Sequence, residues 1–122
     1  MFKFLLNLFR GKQVSTKTKR FVKATLARSG SVSKSNDITL KRSYIIELDS
    51  MLSLVLNDLY GKDSIKDNLI KAKSRFNSSE YQNLWNAHKV RNRIVHEPDG
   101  VFNSKELDVS VTNFVAVLSR YK

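Results

Sequence analysis

Apolar residues recur at helical spacing through most of the chain. Ile38, Ile45, Leu48, Leu52, Val55 and Leu59 follow one another at three, four or seven residues, which traces one face of a helix. Tyr44, Ile46, Met51, Leu54 and Leu56 widen that face, so the spacing predicts a central helix touched on several sides. Asp37 stands as its N-cap and Gly61 just past its end at Tyr60. A second stripe, Ile65, Leu69, Ala72 and Phe76, opens on the capping spacing of Ser64 and Asp67. A third helix is predicted to open on Ser79 with Gln82 and to carry Leu84, Trp85, His88, Arg91 and Val95. It should end close to His96, because Pro98 disfavours the α conformation at Glu97. In the last run Asn103 with Glu106 caps a stripe of Leu107, Val111, Phe114 and Leu118. Val109, Val111, Val115 and Val117 also alternate there, so a strand competes; length and capping favour a helix.

Four amphipathic helices joined by short turns make the expected body all-α, an antiparallel four-helix bundle over residues 37–122. Gly11, Gly30, Gly61, Gly100 and Pro98 all fall between the apolar runs. Residues 1–36 read differently. Phe2, Phe4, Leu5, Leu6, Leu8 and Phe9 surround a narrow sector of Lys3, Asn7 and Arg10, the pattern of a short amphipathic helix. Ten residues are too few to span a bilayer, which needs about 20, and they lack a small-residue cleavage site. A short helix is predicted near Thr18–Arg28, followed by a flexible Ser-rich linker to Asn36.

Charge sharpens this division. The 122 residues carry 22 Lys and Arg against 11 Asp and Glu, a formal net charge of +11. Residues 1–42 hold eleven of the cations and one acid, Asp37, so the excess belongs to the N-terminal arm and the body is close to neutral. Lys12, Lys17, Lys19, Arg20, Lys23, Arg28 and Lys34 are candidate contacts to phosphate, of a nucleic acid backbone or of an anionic lipid surface. The apolar face of residues 1–10 would enter a membrane surface, or pack on the bundle or in a dimer. An expected location in the cytoplasm, or peripheral at the inner face of the membrane, follows from these alternatives. No cysteine is present and there are only two histidines, which excludes a disulfide scaffold or thiolate metal site and argues against a multi-His centre. Neither a metal nor a cofactor is expected.

The chemistry concentrates in Leu84–Pro98. Arg91 lies seven residues after Leu84 and four before Val95, on the stripe that should face the core or a partner. A guanidinium in that position needs an acid, and Glu47, Asp49 and Glu80 are candidates. His96, at the helix end, can approach the same cleft if the last turn frays, since the ideal offset from Arg91 is about 140°. Arg with His suits phosphate chemistry: the guanidinium clamps phosphoryl oxygens and the imidazole moves a proton near neutral pH. Cleavage of RNA by its own 2′-hydroxyl needs a base and an acid, and two copies of one His in a dimer supply both. Lys89 and Arg93 are placed to position phosphate or to lie solvated. His88 should pack at the bundle or dimer interface, Trp85, Phe76 and Phe114 belong to the core pattern, and Glu97 and Asp99 fall in the turn after the helix.

The stretch Arg91-Asn92-Arg93-Ile94-Val95-His96, with its place near the end of the third helix, resembles the motif of the HEPN superfamily (higher eukaryotes and prokaryotes nucleotide-binding). The resemblance covers roughly residues 37–122. It implies a bundle that dimerises with two motifs facing each other and, in many members, a metal-independent endoribonuclease of toxin or defence type. In that case Arg91 would hold the scissile phosphate, His96 would act as general acid or base, and Asn92 would orient them. Other members are inactive partners or RNA binders. Toxin members imply an antitoxin or a nucleotidyltransferase as a further partner. The Tyr that such a transferase modifies has no counterpart here, where Pro98 and Asp99 stand. The competing expectation is a non-catalytic dimeric module anchored to a membrane surface or nucleic acid by its basic N-terminus.

Overall fold

The computed structural model describes residues 13–122. The amphipathic run Phe2–Phe9 and Lys12 therefore lie outside the described residues. Within them the chain is all-helical, as the periodicity predicts: α1 Thr16–Leu26, α2 Ser29–Lys34, α3 Ile38–Tyr60, α4 Ile65–Lys71, α5 Ser78–His96 and α6 Ser104–Leu118, with 3-10 turns at Ala72–Arg75 and Ser119–Tyr121. The valine-rich run near the C-terminus is the helix α6.

Helix α3, about 35 Å long at 1.5 Å per residue, is the element on which the others pack: α1, α2, α4, α5 and α6 all touch it. Its predicted stripe is its buried face, with Tyr44, Ile45, Leu48, Leu52, Val55, Leu56 and Leu59 in the core beside Leu84 and Ala87 of α5 and Leu107, Phe114 and Leu118 of α6. Three predicted caps form through local side-chain acceptors: Asp37 takes the Leu40 N–H at 3.1 Å, Ser64 that of Asp67 at 3.1 Å and Asn103 that of Glu106 at 2.7 Å. Gly61 ends α3 at φ 98°, a left-handed conformation that Gly adopts without a Cβ penalty.

Two local expectations are corrected. Helix α5 starts on Asn77, not Ser79: Asn77 accepts from the Glu80 N–H at 2.8 Å and Glu80 from the Asn77 N–H at 3.3 Å, a reciprocal capping box. Asn caps at least as well as Ser, and a carboxylate at the third position also meets the positive end of the helix dipole. The segment expected to be a flexible linker holds α2, whose Val32 is buried where α2 meets α3 and α6. A buried valine overrides the weak helix preference of a Ser/Gly-rich segment.

The described part of the arm shares the core with the rest of the chain. Thr18, Val22, Thr25 and Leu26 of α1 are buried, and Val22 is 0% exposed. Polar contacts fix this docking: the Ser15 N–H donates to Asp58 at 3.0 Å, the Tyr44 hydroxyl donates to the Thr25 carbonyl at 2.7 Å, and Arg28 pairs with Glu47. Burial pushes the Tyr44 hydroxyl above the ordinary tyrosine range. At Asp58 burial disfavours the charge, but hydrogen bonds from the Ser15 N–H and the Thr18 and Ser15 hydroxyls outweigh it and hold the carboxyl below the usual range. A depressed folded pKa stabilises the fold above the unfolded value and loses that contribution as pH falls through the folded one. Acidification below about pH 4 should therefore release α1 first, seen as faster amide exchange at Val22 and Thr25. Asp58→Asn should abolish this acid step, and an unchanged step in that variant would show that Asp58 does not hold α1.

Helices α3 and α6 are also joined by charge. Lys41, 2% exposed, donates to Asp108 at 2.7 Å and to Ser104 at 3.2 Å. Past α5, Arg42 donates to the Pro98 carbonyl at 2.8 Å, and the buried Phe102 ring lies under the guanidinium groups of Arg42 and Arg93, 5.1 and 4.8 Å from its centroid. Gly100 has no room for a side chain, since a Cβ there would come within 2.9 Å of the Glu97 carbonyl.

Candidate phosphate-binding site on α5

The turns of α5 before His96 carry a polar network that closes on α3. Ala87 and Ile94 keep the core stripe apolar on either side of it. His88 is buried at 5% exposure and its Nδ1 lies 2.8 Å from Asp49 Oδ1. Asp49 projects from the buried face of α3 between Leu48 and Leu52 and is 3% exposed. The other His88 nitrogen, Nε2, lies 3.3 Å from Asn92 Nδ2, and Arg91 Nη1 donates to Asn92 Oδ1 at 3.1 Å. Arg91 Nε stands 3.3 Å from Asp49 Oδ2, an ion pair without the alignment of a hydrogen bond. Arg91 and Asn92 are each half-buried.

Of the three acids expected to be able to neutralise Arg91, Asp49 does so; Glu47 is held by Arg28 and Glu80 by Arg120. Two consecutive motif residues, Arg91 and Asn92, are thus brought together. His96 is not brought to them. It is exposed, it closes α5 while still helical, and among the described residues it makes no hydrogen bond or ion pair. The frayed turn expected to swing it toward Arg91 is absent, because the Glu97 N–H continues the helical bonding to the Arg93 carbonyl at 2.8 Å.

The other candidate cations divide in two. Lys17, Lys19, Arg20, Lys23, Lys34 and Lys89 are exposed. Arg28 and Arg93 are engaged within the fold: Arg28 pairs with Glu47 beside the Tyr44 ring, and Arg93 pairs with Glu106 and, at 3.7 Å, with Glu97 while covering Phe102. The bond to Glu47 holds the Arg28 guanidinium above its ordinary pKa, against a smaller effect of burial.

A groove of about 400 Å³ between α5 and α6, lined by residues including Asn83, Asn86, Val90, Asn103, Val109 and Asn113, contains neither Arg91, Asn92 nor His96. Among the described residues no group of three His, Asp or Glu is placed to hold a metal ion, and no helix is long and apolar enough to cross a membrane. His88 is the partner that pattern alone did not assign to the motif, and Asp49 was one of three candidate acids. The one available signal was an acid within the apolar stripe of α3, three helical turns before Leu59 and next to Leu48. Comparison of the chain with family models, curated proteins and solved structures finds no match.

Proposed function

We propose that the chain is a HEPN-like RNA-binding protein that cleaves RNA without a metal, as a homodimer of four-helix bundles built from the body after residue 36. The observation that carries this reading is the half-buried Arg91 guanidinium, held by Asp49 and Asn92, one and a half turns from the exposed His96 at the end of the same helix. Arg91 would grip the scissile phosphate and His96 would exchange the proton of the 2′-hydroxyl or of the leaving 5′-oxygen. A single chain offers one such imidazole, turned away from its own Arg91 by helical geometry, so a second copy is needed to supply both proton transfers. Purified protein incubated with single-stranded RNA in EDTA should yield products ending in 2′,3′-cyclic phosphate. Cleavage that appears only on adding a divalent metal would sink the mechanism.

The exposed cations of α1 favour a second reading, in which the protein binds nucleic acid without cutting it. Lys17, Lys19, Arg20 and Lys23 are exposed on α1, Lys17 over the Phe21 ring, while its other face is docked in the core, so an anion bound there is tied rigidly to the body. Changing Lys17, Lys19 and Lys23 together to Gln should flatten the slope of log affinity for RNA against log salt by about 0.7 for each phosphate no longer neutralised. An unchanged slope would place the RNA elsewhere. The same variant assayed on anionic vesicles separates a lipid surface from RNA as the partner.

A further inference from the structure

The polar atoms around Arg91 permit only one proton arrangement. A guanidinium only donates, so the Asn92 atom 3.1 Å from Arg91 Nη1 has to be the carboxamide oxygen. The amide nitrogen then faces His88 Nε2 at 3.3 Å and donates to it, so Nε2 carries no proton. Neutral His88 therefore bears its proton on Nδ1, which donates to Asp49 Oδ1 at 2.8 Å. Flipping the amide would set Asn92 N–H groups against Arg91 and leave the guanidinium with Asp49 alone. The hydrogen bonds run one way, from Arg91 through Asn92 and His88 to Asp49, and the ion pair between Asp49 Oδ2 and Arg91 Nε at 3.3 Å closes the ring. The edge of the Trp85–His88 ring pair, with centroids 6.1 Å apart, packs the imidazole from the preceding turn.

We infer that His88, fixed as the neutral Nδ1–H tautomer between Asp49 and Asn92, is the positioning residue that orients the Arg91 guanidinium. The anion-gripping end of the motif is thus assembled from α3 and α5 together. Among the described residues Arg91 Nη2 has no partner, and the ring leaves it to take an oxygen of a phosphodiester. That last consequence rests on the RNA reading; the ring itself does not.

The test begins on the unaltered protein. Imidazole nitrogen spectra at neutral pH should show His88 Nδ1 protonated and Nε2 bare, and the opposite tautomer or an imidazolium overturns the inference. Asn92→Leu removes the link from His88 to Arg91 at a half-exposed position while sparing the His88–Asp49 bond. The Arg91 Nε–H order parameter, rigid in the unaltered protein, should then fall below about 0.6, and an unchanged value overturns the inference. In cleavage and in binding of an uncleavable 2′-O-methyl RNA, His88→Leu should cost about 10²-fold through a misplaced guanidinium. It should cost nothing further in an Arg91→Ala background, and equal losses with and without Arg91 would mark His88 as merely structural. If the unaltered protein neither binds nor cuts RNA, the functional reading fails and the two spectroscopic outcomes still decide the ring.

Discussion

Replacing His96 by alanine is expected to lower RNA cleavage in EDTA by about 10²–10⁴-fold, the usual contribution of a positioned general acid or base, and to leave the fold unchanged. The second half of that expectation comes from the structure. His96 is exposed and, among the described residues, makes no hydrogen bond or ion pair, and surface substitutions away from such features stay within about 0.5 kcal/mol. The variant should therefore keep its thermal midpoint and its RNA affinity while losing turnover. Losing one imidazole removes both proton-transfer groups at once if two copies share a site. Mixing the His96→Ala protein with an Arg91→Ala protein then gives heterodimers that hold one imidazole where two proton transfers are needed, so activity should not return. Cleavage that survives in the His96 variant would remove this residue from the mechanism. A variant that loses activity together with its helical signal would show that His96 serves the fold instead.

Local chemistry made much of the fold legible in the sequence. Asp37, Ser64 and Asn103 act on backbone N–H groups three residues away, so nothing beyond the neighbouring residues decides whether they cap. The stripes of α3 and α6 were readable for the same reason, as a helix of fixed period turns spacing into a face. What escaped depends on contacts distant in sequence. Ser29–Lys34 is poor in helix formers, and only the seat that α3 and α6 provide for Val32 makes it a helix. Lys41 sits in the polar run Lys41-Arg42-Ser43, yet it is buried because Asp108, 67 residues on, accepts from it. The site divides along the same line. Arg91 stood out by its place on the helix and Asn92 only by the resemblance of the motif, but the choice of Asp49 over Glu47 and Glu80 depended on Arg28 and Arg120 having claimed the other two. The role of His88 required the proton inventory of four side chains in three dimensions.

That inventory makes Asp49 a residue whose loss should unsettle the fold. Asp49→Ala removes the acceptor of the His88 Nδ1–H and the only acid paired with Arg91 among the described residues, with the Asp49 and His88 side chains just 4% and 6% exposed. Deleting one partner of a buried ion pair costs about 3–5 kcal/mol because the other charge is left uncompensated. Arg91 is 30% exposed and can recover part of its hydration, which places the expected loss toward the lower end, about 3 kcal/mol. For a chain of this size that corresponds to a fall of roughly 10–15 °C in the thermal midpoint. Asp49→Asn keeps an acceptor for His88 while giving up the charge, and should cost less than the alanine. Adding Arg91→Leu to Asp49→Ala removes the orphaned cation, so the double variant should be more stable than Asp49→Ala alone. Urea unfolding of the three variants measures this directly. A loss under about 1 kcal/mol for Asp49→Ala, within the range of an exposed pair, would mean that the ring joining α3 to α5 contributes little to the fold.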